Sequence, residues 1–240
     1  MSLEKYAWLK FFPVLDSGSV EPLLRIVNLS VRYRDRLSAP AGALQNVSLT
    51  MGTGEVIGIT GPSGAGKSTL ALAVLQALPR TAIVEGTIEF RGTALAPVFQ
   101  EPLGALHPLL TIGRQIREAV RARRGWNATR CRAEAEASLE QAELDPHEIF
   151  GAWPHELSGG QRQRALIAQA IAGRPELVIA DEPTASLDSV TRFAIMNLLK
   201  SLKARLGMSM IFITHSPALL GGFAERMFIM REGRLTAYDS

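Results

Sequence analysis

The stretch Val56-Ile57-Gly58-Ile59-Thr60-Gly61-Pro62-Ser63-Gly64-Ala65-Gly66-Lys67-Ser68-Thr69 carries the reading of the fold. Residues 56–60 make a short apolar strand candidate, and residues 68–78, rich in Ala and Leu with no Gly or Pro before Pro79, predict a helix. Between them Gly61 to Ser68 fits G-x-x-x-x-G-K-[ST], in the strand-to-helix context that this pattern requires. The glycines let the backbone wrap so that several N–H groups point into one concavity. The helix N-terminus adds partial positive charge and Lys67 a full one, which together make a seat for β- and γ-phosphates. The Ser68 hydroxyl is a hard oxygen ligand suited to Mg²⁺. Gly61, Pro62, Ser63, Gly64, Ala65, Gly66, Lys67, Ser68 and Thr69 are the candidate nucleotide contacts.

Outward from this core, residues 23–31 and 45–50 read as strands, with a polar loop over 35–42 and a Gly52–Gly54 turn before the strand at 56. Residues 83–99 read as strand, turn, strand, with Glu85-Gly86 and Arg91-Gly92 as turn signals. From residue 113 to about 172, Ala, Glu and Arg recur at helical spacing, which predicts a helical subdomain inserted into an α/β core. There Arg121, Arg123 and Arg124 read as a solvated helix face. The runs 177–180 and 210–214 are apolar without polar alternation, as strands buried on both faces of a parallel sheet are. Residues 228–230 and 234–238 read as a hairpin around Glu232-Gly233. The run at 177–180 ends in Asp181-Glu182, and an open α/β sheet binds ligand at the carboxyl ends of its strands. Asp181 is the candidate Mg²⁺ partner, direct or through water, and Glu182 the candidate general base on an attacking water. This set implies nucleoside triphosphate hydrolysis, which GTPases, helicases and kinases share.

Leu157-Ser158-Gly159-Gly160-Gln161 narrows the class. Ser158 followed by two glycines and an Ala/Ile-rich run is a helix start with a bare, close-approach N-terminus, a second anion-binding element. With Arg162-Gln163-Arg164 after it, the run resembles the signature of the ABC ATPases. The resemblance covers about residues 23–238. It implies an α/β fold, a P-loop NTPase core with a mostly parallel sheet, an N-terminal antiparallel β subdomain and an inserted α-helical subdomain at about 100–172. The ABC ATPase domain then spans 23–240 and residues 1–22 form an N-terminal leader. It also implies that Ser158, Gly159, Gly160 and Gln161 are offered to ATP held by the opposite subunit, so that two chains sandwich two nucleotides. By the same resemblance Gln100 is the glutamine that touches Mg²⁺ or water, and Asp188 is the carboxylate of the loop crossing the dimer interface. His215 is the histidine on the γ-phosphate, and Tyr33 the aromatic that stacks on adenine.

Within that family, Phe99-Gln100-Glu101-Pro102-Leu103-Gly104-Ala105-Leu106-His107-Pro108, and Trp153-Pro154-His155-Glu156, look like the ATPases of oligopeptide, dipeptide and nickel importers. That likeness implies ATP and Mg²⁺ as cofactors and a second ATPase subunit, of the same or a different chain. It further implies transmembrane permease subunits, a solute-binding protein reached indirectly, and a peripheral place on the cytoplasmic face of the membrane. ATPases of exporters or lipoprotein-release systems carry the same catalytic motifs, as do soluble ABC ATPases acting on DNA or the ribosome. The short segment between Phe90 and Val98, Ser216 where an acid commonly follows the histidine, and a chain that stops at Ser240 depart from the importer pattern.

Composition agrees with a globular chain of 240 residues, 47% hydrophobic and 20% charged. The 26 basic and 23 acidic side chains leave a net charge of +3, too small to imply a nucleic-acid partner. One cysteine, Cys131, rules out an intrachain disulfide. No run approaches the about 20 apolar residues of a spanning helix.

Overall fold

A computed structural model describes residues 21–33, 41–99 and 105–238. Gln100 and residues 1–20 of the leader lie outside the described residues. In chain order the strands are β1 (Leu24–Tyr33), β2 (Ala41–Met51), β3 (Val56–Thr60), β4 (Ala82–Phe90), β5 (Leu95–Val98), β6 (Leu177–Asp181), β7 (Ser209–Ile213), β8 (Arg226–Arg231) and β9 (Arg234–Ala237). The helices are α1 (Lys67–Val74), α2 (Ile112–Arg124), α3 (Ala128–Gln141), α4 (Pro146–Ile149), α5 (Gly159–Ile171) and α6 (Ser189–Leu206). The described residues form two compact units: those up to Leu95 with those from Ser209 onward, and those within Ala96–Met208. Among the described residues no helix is long and apolar enough to cross a membrane.

The first unit holds two sheets. In the smaller, β1 lies between β2 and β4 and pairs antiparallel with both. Its buried residues Leu24, Ile26, Leu29 and Val31 change phase between Ile26 and Leu29, because Asn28 sits in a bulge at φ 51. Gly86 answers that bulge at φ 92, where a β-carbon would stand 2.5 Å from the Asn28 carbonyl oxygen. Glu85-Gly86, read from sequence as a turn, is therefore a kink inside one continuous strand, β4. β2 likewise begins at Ala41, inside the expected loop, because Ala41 and Gly42 pair with Tyr33 and Arg32 and this pairing outweighs their weak strand propensity.

In the other sheet β3 pairs parallel with β7 and β8, and β9 closes the edge antiparallel to β8, so the sheet is mostly parallel. Every residue of β3 and β7 is buried, as their unbroken apolar character requires. Phe212 on β7 meets Phe223 edge to face, with centroids 5.8 Å apart. Helix α1 ends earlier than expected. Gln76 takes φ 54, its N–H donates to the Ala73 carbonyl at 3.0 Å, and Ala77 N–H donates to the Leu72 carbonyl at 2.8 Å. This left-handed cap usually carries glycine, so a glutamine there hid the helix end.

In the second unit α2, α3 and α5 pack through Ile112, Ile116 and Val120, Ala135 and Leu139, and Leu166 and Ile167. Asn127 caps α3 by accepting from the Arg130 N–H at 2.9 Å. Arg121 is exposed as expected, but Arg123 and Arg124 are not a solvated face. Arg123 Nη1 donates to the carbonyl oxygens of Gln169, Ala170 and Ala172 at 2.9, 3.0 and 2.5 Å. Arg124 donates to those of Gly173 and Arg174 at 2.6 and 2.9 Å. The C-terminus of a helix leaves carbonyls without intrahelical donors, and these cations supply them for α5.

Candidate nucleotide site

In the first unit the chain leaves β3 at Thr60, turns through Gly61–Gly66 and enters α1 at Lys67. Gly61, Gly64 and Gly66 adopt φ 148, 77 and 108, which a β-carbon tolerates poorly. Space adds to the requirement: a β-carbon on Gly61 would stand 2.2 Å from the Met230 carbonyl oxygen, and one on Gly66 2.3 Å from that of Ala43. No side chain caps α1, so the first amides of the helix face the loop unscreened. Lys67 is 6% exposed, and its ammonium donates to the carbonyl oxygens of Gly61 and Pro62, both at 2.9 Å. That fixes a full positive charge over the amide concavity. Ser68 is exposed on the first turn, and Thr69 accepts a 3.4 Å bond from the Tyr33 hydroxyl, which brings that aromatic to the same helix start. His215 follows β7, whose Ile213 pairs with Ile59, so its exposed imidazole leaves the sheet at the edge where β3 opens into the loop.

The second unit carries the remaining candidates. Ser158 caps α5 reciprocally: its Oγ accepts from the Gln161 N–H at 3.2 Å, and its own N–H donates to Gln161 Oε1 at 2.9 Å. The cap uses Ser158 Oγ and Gln161 Oε1 as acceptors and makes no use of the seryl hydroxyl hydrogen or the glutaminyl amide hydrogens. Gly160 abuts Thr191, whose Cγ2 would lie 3.1 Å from a β-carbon there, whereas nothing lies within 4 Å of one on Gly159. Asp188 caps α6, accepting from the N–H groups of Val190 and Thr191 at 3.0 Å and from the Thr191 hydroxyl at 2.7 Å. The Thr191 side-chain bond, then the backbone bonds, hold the Asp188 carboxyl below its usual range. The starts of α5 and α6 thus meet through Thr191. Asp181 ends β6 and is 8% exposed; Glu182 follows it, half-buried, at φ 48. A non-glycine residue in that region costs about 1–3 kcal/mol and is concentrated at working sites, where it aims a side chain.

A glycine-wrapped phosphate seat between a buried parallel strand and a helix defines an α/β nucleotide-binding protein of the phosphate-loop class. The model of the family described as ABC transporter matches residues 44–185, and the chain belongs to that family. It is 39% identical to the peptidoglycan transport ATP-binding protein YejF of Agrobacterium fabrum, over 90% of this chain and 43% of that protein. It is 38% identical to a Brucella abortus protein assigned by name to peptide import, over 89% of this chain and 69% of that one. The chain therefore spans less than half the length of the first relative. Among solved structures it resembles the ATP-binding cassette MJ0796, in a dimeric post-hydrolysis state with ADP and Pi. The TM-score is 0.75 at 30% identity, over 90% of this chain and 99% of that one. The chain accordingly has the ATP-binding cassette fold of that family, in which Mg²⁺ is the usual partner ion of the nucleotide.

Each unit by itself offers a hard oxygen of the kind that ion takes: Ser68 a hydroxyl in the first and Asp181 a buried carboxylate in the second. Among the described residues no group of three or more His, Cys, Asp or Glu could hold a metal by itself. Met230 and Gly233, which border the loop, are absent from the sequence-derived set. The only signal for them was a turn read as an ordinary hairpin.

Proposed function

We propose that the chain is the ATP-hydrolysing subunit of an ABC importer, working as a dimer beneath transmembrane permease subunits at the cytoplasmic face of the membrane. Its cargo is a peptide or a related small solute handed over by a solute-binding protein. The peptide-import name of the Brucella relative supports the direction and the cargo class, and the transport name of the Agrobacterium relative supports the transport role.

In this reading the loop amides and Lys67 seat the phosphates, Tyr33 stacks on adenine, and Ser68, Asp181 and Gln100 hold the Mg²⁺. The ion, when bound, neutralises phosphate charge. Glu182 orients the attacking water and takes its proton as the new bond to the γ-phosphorus forms and the bond to the β-phosphate oxygen breaks, leaving ADP and phosphate. Lys67 and His215 stabilise charge on the transferring group. Ser158, Gly159, Gly160 and Gln161 of a second copy close on the same γ-phosphate, and Asp188 orders the loop between the two sites.

The observation that carries the dimer is Gly159. Its position is open to 4 Å, and its φ is not in the left-handed region, so nothing among the described residues of its own chain requires a glycine. A glycine in a helix costs about 0.5–1 kcal/mol relative to alanine. A phosphate approaching the first amides of α5 closely, from another subunit, does require one. The test is ATP hydrolysis against protein concentration, wild type beside Glu182→Gln, with size exclusion in Mg-ATP. Activity rising more steeply than linearly, with a trapped dimer in the variant, supports the reading; linear activity from a monomer overturns it.

A further inference from the structure

We infer that the Glu232–Gly233 turn between β8 and β9 positions the phosphate loop, with Gly233 and Gln45 as its positioning residues, an inference that rests on the ATPase reading of that loop. The Gly233 N–H donates to the carbonyl oxygen of Ala65, inside the loop, at 2.9 Å, and Ala65 itself is 5% exposed. On its other side the turn is tied to β2. The Gly233 carbonyl accepts from the Gln45 N–H at 2.8 Å, and Gln45 Nε2 donates to the Glu232 carbonyl at 3.0 Å. Arg234 orients that amide by donating from Nε and Nη2 to Gln45 Oε1, each at 3.3 Å. β8 supports the same loop, since Met230 places its carbonyl oxygen against Gly61 and its sulfur 3.3 Å from where a β-carbon on Gly66 would stand.

The consequence follows from peptide planarity. The Ala65 carbonyl and the Gly66 N–H belong to one trans peptide and point in opposite directions. Anchoring the carbonyl on Gly233 aims the Gly66 N–H away from the hairpin, toward the side on which a phosphate is bound. An anion seat depends on amides aimed before the anion arrives, because aiming them afterwards costs order. Gly233 cannot be exchanged freely: it takes φ 76, and a β-carbon would stand 2.9 Å from the Ala43 carbonyl oxygen.

The test compares wild type, Gly233→Ala and Gln45→Glu for Mg-ATP and Mg-ADP affinity at 20 °C, steady-state hydrolysis and melting temperature. Gly233→Ala pushes the turn off Ala65 and raises both dissociation constants about fivefold, the loss of roughly one net hydrogen bond, with kcat at saturating ATP within about twofold. Gln45→Glu keeps the acceptor for Arg234 but loses the donor to Glu232, and raises them about twofold. A lower melting temperature with unchanged affinities in both variants overturns the inference and leaves a purely structural turn. Should Gly233→Ala fail to fold, Gln45→Glu at its exposed position decides the matter, and an unchanged affinity overturns the inference. A wild type that binds no Mg-ATP overturns the ATPase reading itself and this inference with it; a wild type that binds, beside unaffected variants, removes only the inference.

Discussion

Gly160 and Thr191 bring the start of α5 against the start of α6, so closely that a β-carbon on Gly160 would stand 3.1 Å from Thr191 Cγ2. One residue earlier, the same substitution meets open space. Adjacent glycines of one motif thus answer to different demands, one from packing and one, in the proposed dimer, from an approaching ligand. Gly160→Ala is expected to lower stability by about 1 kcal/mol through overpacking. Gly159→Ala should leave stability equal or up to about 1 kcal/mol higher, from helix propensity, while cutting ATP turnover at least tenfold. Thermal melts and hydrolysis assays on both variants check this, and full turnover in Gly159→Ala would remove the ligand from the explanation.

Glu182 holds a left-handed backbone next to a buried aspartate, and its carbonyl accepts from the Ala185 N–H at 3.2 Å, which fixes the turn that aims its side chain. Glu182→Gln preserves shape and removes the proton acceptor. Turnover is expected to fall about 10²–10⁴-fold, the usual contribution of a general base, with Mg-ATP affinity within about twofold. Single-turnover hydrolysis beside equilibrium binding separates the two quantities, and a variant that hydrolyses at the wild-type rate sinks the assignment.

Asp188 supplies a pH dependence. Its carboxyl is held low by Thr191, so its folded-state value lies below its unfolded one, and the stabilisation is fully present above the ordinary carboxylate value. It is lost as pH falls through the folded-state value. The difference in melting temperature between wild type and Asp188→Ala should therefore be constant from pH 8 to about 5 and shrink toward zero below about pH 4. A difference that persists undiminished at pH 2.5 would show that the cap does not act through the carboxylate.

Motifs and their order were legible in the sequence because phosphate seats and strand-end acids need particular residue types at fixed spacing. Local backbone exceptions were not. Gln76 ends α1 in a conformation usually given to glycine, and Gly86 looks like a turn but bends a strand whose course is set by the partner bulge at Asn28. Ala41 and Gly42 joined β2 because of pairing with Arg32 and Tyr33, which propensity cannot see. The role of Gly233 was hidden for the same reason, since its bond to Ala65 links residues far apart in the chain.

Arg123 shows that a charge which reads as solvent-facing can be a fastener. One of its nitrogens serves the carbonyls of Gln169 and Ala170 in the last turn of α5 and of Ala172, its C-cap residue, where intrahelical donors run out. Hydrogen bonds to a charged group contribute roughly 1.5–3 kcal/mol, so Arg123→Met, which keeps much of the aliphatic stem, should cost about that much. For a chain of this length that is a fall of about 5–10 °C in melting temperature. Arg123→Lys should recover only part of it, because an ammonium lacks the planar fork. The phosphate-loop residues proposed to hold ATP lie in the other unit, so Mg-ATP affinity at 20 °C is expected to stay within about twofold of wild type. Melting curves and equilibrium binding on Arg123→Met and Arg123→Lys test both halves. A melting temperature unchanged in Arg123→Met would mean that water replaces the guanidinium at the end of α5, and the clamp would then contribute nothing to stability.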